Sequence, residues 1–454
     1  MNEFDKNSAS KALFKSQTVD KDLKRIGQLQ RATHEAGRNI YSLGFGLLFL
    51  LGVWLFAYLK SDGDGSLILI AAAVIGGYMA MNIGANDVAN NVGPAVGSKA
   101  LTMVGALLIA AIFEALGAIV AGGEVVSTIS KGIVSPESIA DADTFIWAMM
   151  AALMSAALWV NLATWIGAPV STTHSIVGGV MGAGIAAAGF GAVDWPVMGA
   201  IAASWVISPL LGGVVAAAFL TFIKVTVLFK ADKISAAKRW VPILVAIMAT
   251  AFSAYLMVKG LKRIWKPDMA MIAAVSVSIA FLTYFWVRSR VARAALMMEN
   301  KRKSVSKLFT VPLICSAALL SFAHGSNDVA NAVGPLAAIV NAVNDGMVSA
   351  KTTLPFWVLV IGALGISVGL ILFGPKIIRL VGEKITKLDH VRAFCVALSA
   401  SITVIIASGL GLPVSSTHIA VGAVFGVGFV REAITNRGGG IPERVAADKD
   451  ARSV

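Results

Sequence analysis

One eleven-residue pattern occurs twice in this chain. Gly84-Ala-Asn-Asp-Val-Ala-Asn-Asn-Val-Gly-Pro94 returns 241 residues later as Gly325-Ser-Asn-Asp-Val-Ala-Asn-Ala-Val-Gly-Pro335. A second pair follows in the same order. Pro169-Val-Ser-Thr-Thr-His174 returns 244 residues later as Pro413-Val-Ser-Ser-Thr-His418. Two motifs repeated in order at nearly one spacing mark an internal duplication, so the fold has to be assembled from two related halves.

The residues around the motifs identify the solvent. Of 454 residues, 57% are hydrophobic and only 14% charged, and the mean hydropathy is +0.79. Soluble domains carry about 25% charged residues, so this is a polytopic membrane protein. Apolar runs fall at 40–59, 67–82, 101–122, 144–166, 176–190, 196–228, 240–258, 269–287, 309–323, 329–343, 354–374, 391–409 and 418–430. Some are short for a crossing of about 20 residues, which predicts about twelve transmembrane segments, some of them broken or re-entrant. The run 196–228 is too long for one upright helix, and Pro209, Gly212 and Gly213 are expected to kink or break it.

The net charge of +13 reads as a topology signal and not as a nucleic-acid surface. Acidic linkers at 60–66 and 123–143 are placed outside. Basic linkers at 230–239, 288–307 and 376–392 are placed inside; the second holds seven basic residues against one acidic. The basic segment 259–268, with Lys259, Lys262, Arg263 and Lys266, is an exception that connectivity still places outside. The run before Asn86 therefore enters from outside and the run before Asn327 from inside. Opposite entry of duplicated segments points to an all-α, inverted-repeat transporter. The expected division is a cytoplasmic tail (1–39), an extra N-terminal transmembrane helix with a short outer loop (40–66), a first repeat (67–224), a connecting region with two spans (225–307), a second repeat (308–430) and a C-terminal tail (431–454).

Ionisable residues in hydrocarbon are expensive and mark function. Asp87 sits with Asn86, Asn90 and Asn91, and Asp328 with Asn327 and Asn331; no basic residue accompanies either within its motif. Carboxylates with amide oxygens are hard ligands that suit Na⁺, or they carry a proton; no transition-metal site is suggested. These groups also have a plainer use, capping broken helices or joining helices together. In the second motif, Pro169 and Pro413 can start a helix. Ser171, Thr172 and Thr173, with Ser415, Ser416 and Thr417, then bring hydroxyls to a first turn whose free N–H groups favour an oxyanion. His174 and His418 are accessory: they orient a hydroxyl, move a proton or serve structure. Glu114 stands alone in an apolar run as a cation ligand or proton carrier, with its counterpart expected near Gly362. Cys315 and Cys395 lie in apolar stretches without metal or disulfide spacing. No GxxxxGK[ST] or GxGxxG stands in a strand–helix context, so ATP hydrolysis and dinucleotide binding are unsupported and no cofactor is expected.

The two Gly-x-Asn-Asp-Val-Ala-Asn copies and the two Pro-Val-Ser-x-Thr-His copies resemble the inorganic phosphate transporter family, over roughly residues 67–430. Its animal members include sodium–phosphate carriers that double as retroviral receptors. The resemblance implies a phosphate site at the repeat interface, coupling to Na⁺ or H⁺, homodimers and a multi-pass location in a bacterial inner membrane. It assigns Asn86, Asp87, Asn90, Asn327, Asp328 and Asn331 to ion and substrate binding, and the six hydroxyl residues to phosphate. The extra helix at 40–59 and the missing large soluble loop depart from a common family pattern. The family also holds sulfate carriers and carriers of neutral metal–phosphate complexes. Carboxylates beside the anion favour one that carries a proton, as phosphate does at neutral pH, over sulfate. An anion channel and a membrane scaffold are the readings from other classes.

Overall fold

The computed structural model describes residues 40–60, 66–139, 141–260, 267–346, 354–382 and 388–436. The tails at 1–39 and 437–454 and most of the basic 259–268 segment lie outside them. By contacts the chain divides into two units, residues 1–49 and 50–454. Helix α1, Ile40–Lys60, crosses that boundary.

Among the described residues the regular structure is helical, apart from one isolated bridge between Val134 and Val193. In chain order the helices are α2 (Leu67–Gly97), α3 (Met103–Ala121), α4 (Gly123–Ser127), α5 (Ala142–Ile166), α6 (Thr172–Ala188), α7 (Trp195–Ile223), α8 (Lys233–Tyr255), α9 (Met269–Ala295), α10 (Arg302–Leu308), α11 (Thr310–Asp328), α12 (Ala330–Asp345), α13 (Phe356–Leu372), α14 (Gly374–Leu380), α15 (His390–Gly409) and α16 (Ser416–Asn436). Among the described residues nine helices are long and apolar enough to cross a membrane, or eleven when two bent pairs each count once. The bent pairs are α10 with Thr310–Asp345, at 43°, and α13 with α14, at 58°. The expected broken helices are therefore present.

Helix limits differ from the apolar runs for a physical reason. The polar Asn-Asp motifs interrupt apolar runs, so each motif looks like the end of a span. The helix instead continues through it: α2 runs 31 residues to Gly97, and α11 leads directly into α12. Three local expectations also change. The 196–228 stretch is not broken at Pro209, which lies inside α7, and the helical span continues to Leu228. Gly212 and Gly213 serve packing, since a Cβ on either would press on Ile419 or Gly422 of α16. Pro169 and Pro413 precede their helices by three residues and do not start them, because Ser171 is the N-cap of α6 and α16 begins at Ser416.

Two crossed helix pairs form the centre. In one, α13 packs on α2; in the other, α3 packs on α11, so each half lends a helix to the other. Glycine makes both approaches possible. A Cβ at Gly84 would overlap the Ile366 carbonyl and one at Gly369 the Met81 carbonyl. The same exchange recurs with Gly325 against Glu114 and Gly117 against Phe322. The counterpart of Glu114 in this register is Ile366, four residues beyond the expected Gly362.

Loop contacts sort the helix ends. His390, opening α15, has Nε2 2.9 Å from the Ser98 carbonyl and Nδ1 3.3 Å from that of Ser306. The end of α2 thus meets the chain leading into α11. At this end too, Lys233 N donates to Asn300 Oδ1 and Asn300 Nδ2 to the Ala231 carbonyl, tying the 230–239 linker to 288–307. Elsewhere Lys259 pairs with Glu124 at 3.2 Å. The first lysine of the basic exception to the charge rule therefore sits beside the first acidic residue of the 123–143 linker.

Candidate functional site

Asn86 and Asn327 act as pins in equivalent ways. Asn86 Nδ2 donates to Thr164 Oγ1 (2.9 Å) and the Ala168 carbonyl (3.1 Å), while its Oδ1 accepts from Val170 N (2.9 Å). Asn327 Nδ2 donates to Ser408 Oγ (2.9 Å) and the Leu412 carbonyl (3.1 Å), and its Oδ1 accepts from Val414 N (3.3 Å). Each amide satisfies the bare backbone of the loop ahead of α6 or α16, polar groups that would otherwise be buried unpaired. Their side chains are consumed in holding those loops.

Four residues later the pattern crosses between halves. Asn90 Nδ2 donates to Thr417 Oγ1 at 2.8 Å and reaches Asp87 Oδ1 at 3.3 Å. Asn331 Nδ2 donates to Thr173 Oγ1 at 3.1 Å. The two threonines answer symmetrically: Thr173 Oγ1 donates to the Val414 carbonyl (3.0 Å), and Thr417 Oγ1 lies 3.3 Å from the Val170 carbonyl. Thr417 Oγ1 is also 3.1 Å from Asp87 Oδ1.

The two duplicated aspartates converge on one hydroxyl. Thr172 Oγ1 is 2.7 Å from Asp87 Oδ2 and 3.3 Å from Asp328 Oδ2. Its single proton serves one carboxylate at a time. Both carboxylates are 1% exposed. Ser416 occupies the place in α16 that Thr172 holds in α6, yet its buried Oγ has no partner. Ser171 Oγ accepts from His174 N and Ser415 Oγ from His418 N, so both serines are helix caps. The N–H groups of Thr172 and Thr173, and of Ser416 and Thr417, have no carbonyl within their own helices to bond.

The sequence reading omitted His324. It is fully buried and stands among three carboxylates: Nδ1 is 3.2 Å from Glu114 Oε2, and Nε2 is 3.4 Å from Asp328 Oδ2 and 3.7 Å from Asp87 Oδ2. Glu114 Oε1 accepts from Asn91 Nδ2 at 2.8 Å. The signal was available, because His324 is the residue before Gly325 whereas the first copy has Ile83 before Gly84. The apolar pair Ile83 and Ile366 thus corresponds to the polar pair His324 and Glu114. Asp87, His324 and Asp328 offer ligand atoms within 4.8 Å of one another. Asp328 Oδ1 and Asn331 Oδ1 are buried with no hydrogen-bond partner.

His174 and His418 lie apart from this cluster but against each other. Their ring centroids are 4.8 Å apart, and the His174 ring is also 3.7 Å from that of Trp205.

Three carboxylates surround one imidazole. With all three ionised, even a protonated His324 would leave the buried cluster negative, which a low-dielectric interior does not tolerate without cations or protons.

Comparison with known proteins gives three findings. A model described as "Phosphate transporter family" matches residues 83–447. A protein of Helicobacter pylori strain J99, named "Putative phosphate permease", is 56% identical over 417 residues, which is 91% of this chain and 78% of that protein. One of the same name from Haemophilus influenzae is 37% identical, covering 81% of this chain and 89% of its own. A solved structure titled "The sodium-dependent phosphate transporter" shares 38% identity and superposes with a TM-score of 0.77 over 81% of this chain and 90% of that one.

Proposed function

The chain belongs to the phosphate transporter family, and on that premise we propose how its paired motifs carry phosphate through a membrane. It is a multi-pass secondary transporter of phosphate and not an enzyme. The observation that carries the rest is the meeting of Asp87, from the first half, with Asp328, from the second, at Thr172 Oγ1.

The halves, 67–224 and 308–430, form an inverted repeat around that point, with α1 as an extra anchor and the α8–α9 hairpin as the connection between them. Support comes from the reciprocal glycine contacts, the matched Asn86 and Asn327 pins and the end of α2 meeting the start of the second half. Phosphate sits between the first turns of α6 and α16. Thr172, Thr173, Ser416 and Thr417 supply hydroxyls and free N–H groups, and Asn90 and Asn331 set the threonines. Neutral donors hold an oxyanion reversibly, as a carrier requires. Asp87, Asp328 and Glu114, with His324 between them, take the coupling Na⁺ or H⁺. Coupling follows from electrostatics: the cation cancels carboxylate charge that would otherwise exclude the anion. The loaded halves then rock against each other and expose the site to the other side. Asn86, Asn327, Ser171 and Ser415 hold the loops and helix caps instead of contacting substrate.

The test is labelled phosphate uptake into proteoliposomes under an imposed Na⁺ or H⁺ gradient, with sulfate as competitor. Uphill accumulation is expected, to be abolished by Asp87→Asn or Asp328→Asn while both variants remain folded in the membrane. Flux that merely follows the anion's own gradient would establish a channel instead. Unchanged uptake in both variants would remove the carboxylates from the mechanism.

A further inference from the structure

The free face of α9 carries a patch that the transport site does not use. Of the nine long spanning helices described, α9 has the smallest buried share, and it packs on α8. Val287, Val291 and Ala295, four residues apart, are its buried side near the 288–307 linker. The opposite side follows helical spacing through Leu282, Trp286, Arg290, Arg293 and Met297, all exposed. Two arginines thus interrupt an apolar stripe that is continuous with the lipid-facing surface of a spanning helix. Met297, beyond them, is 97% exposed.

The guanidiniums do not extend straight into water. Helical side chains lean toward the N-terminus of their helix, which here is toward the span. Arg290 Cζ lies 5.5 Å from the centre of the Trp286 ring, and Arg288 Cζ 5.9 Å from that of Tyr284, each over the ring four residues earlier. Arg288 Nη1 also reaches Tyr284 Oη at 3.4 Å. Arg293 Nε donates to the Ser289 carbonyl at 3.4 Å, so it too folds back by one turn. Among the described residues none of the three has a carboxylate partner. Glu299, the single acid of the 288–307 linker, pairs with Lys301 instead.

Trp and Tyr rings settle at the level of lipid headgroups. An arginine laid over such a ring holds its charge at the depth of lipid phosphate, and a guanidinium fork matches phosphate oxygens. We propose that Arg290 and Arg293, with Trp286 on the span side of them, form a binding site for the headgroup phosphate of an anionic phospholipid, on the membrane face that the charge pattern assigns to the cytoplasm. Continuity of the stripe with the lipid-facing span names a lipid and not a soluble anion. Uncompensated positive charge selects a net negative headgroup over a zwitterionic one, whose own ammonium already neutralises its phosphate. The site stands independently of the transport mechanism proposed above, because it shares no residue with it.

The test titrates the full-length protein in detergent with dioleoyl phosphatidylglycerol or dioleoyl phosphatidylcholine, and native mass spectrometry counts the lipids bound. Wild type is expected to take its first phosphatidylglycerol about tenfold more tightly than its first phosphatidylcholine, and the double variant Arg290→Gln with Arg293→Gln to lose that preference. Lys230→Gln with Lys303→Gln removes the same charge from other elements and should keep it. All four residues are exposed, so neither double variant disturbs the packed bundle. An unchanged preference in the arginine variant, or an equal loss in the lysine variant, overturns the proposal. So does a halved particle mass in the arginine variant alone, read from the same spectra, which would assign the stripe to contact with a second copy of the chain.

Discussion

Thr172 places one hydroxyl between two buried carboxylates. A hydrogen bond to a charged group is worth about 1.5–3 kcal/mol, so Thr172→Val should lower the transport efficiency for phosphate by tenfold or more. Thr172→Ser, which keeps the hydroxyl, should restore most of it; labelled uptake at varied phosphate reads both. Asn86 tests the opposite kind of residue. Its amide makes three hydrogen bonds, one to Thr164 in α5 and two to the loop before α6. Asn86→Ala should therefore cost about 2–4 kcal/mol of stability, seen as a lower unfolding midpoint in detergent. If the midpoint held while uptake vanished, Asn86 would be a substrate ligand and not a pin. The sequence alone could not separate Asn86 from Asn90. Both are asparagines in one motif, and only the fold shows that one amide stays within its half while the other crosses to Thr417.

At the scale of helices, glycine decides how closely α3 and α13 approach their partners. Gly325 faces the Glu114 backbone so closely that a Cβ has no room. Gly325→Ala should force α3 and α11 apart, at a cost of about 1–3 kcal/mol or more, and displace Glu114 from His324. Gly178→Ala is the control, since nothing lies within 4 Å of a Cβ there, and it should leave folding and uptake as they are. Thermal unfolding and uptake on the pair check the contrast. Much of this level was legible beforehand. Apolar runs located most spans, and hydroxyls were correctly placed at helix starts. Helix limits failed where polar residues lie inside membrane helices: hydropathy treats Asn86 to Asn91 as an end, whereas the backbone there is satisfied within α2 and continues to Gly97.

For the whole molecule, the charge pattern and the contacts agree on two faces. Lys259 joins Glu124 at one, and Asn300 joins the 230–239 linker at the other. Lys259→Cys and Asn300→Cys should react with a membrane-impermeant thiol reagent from opposite sides, the first from outside and the second only in inverted vesicles. Of the native cysteines, Cys395 is buried and Cys315 partly so; an otherwise wild-type sample sets the background. Labelling of both positions from one side would refute the assignment of the 259–268 segment.

The sequence by itself determined the solvent, the duplication and the family, because these follow from composition and from residue order along one chain. It also named most of the polar residues at the centre, since a carboxylate in an apolar run is conspicuous wherever it folds. Only the tertiary structure decided which of them share a site. Asp87 and Asp328 are 241 residues apart in sequence and are brought to one hydroxyl by helices that cross between the halves. His324 passed unnoticed because a single imidazole gains meaning from what surrounds it. Its three carboxylates come from α2, α3 and its own helix α11, and no spacing along the chain predicts that they meet.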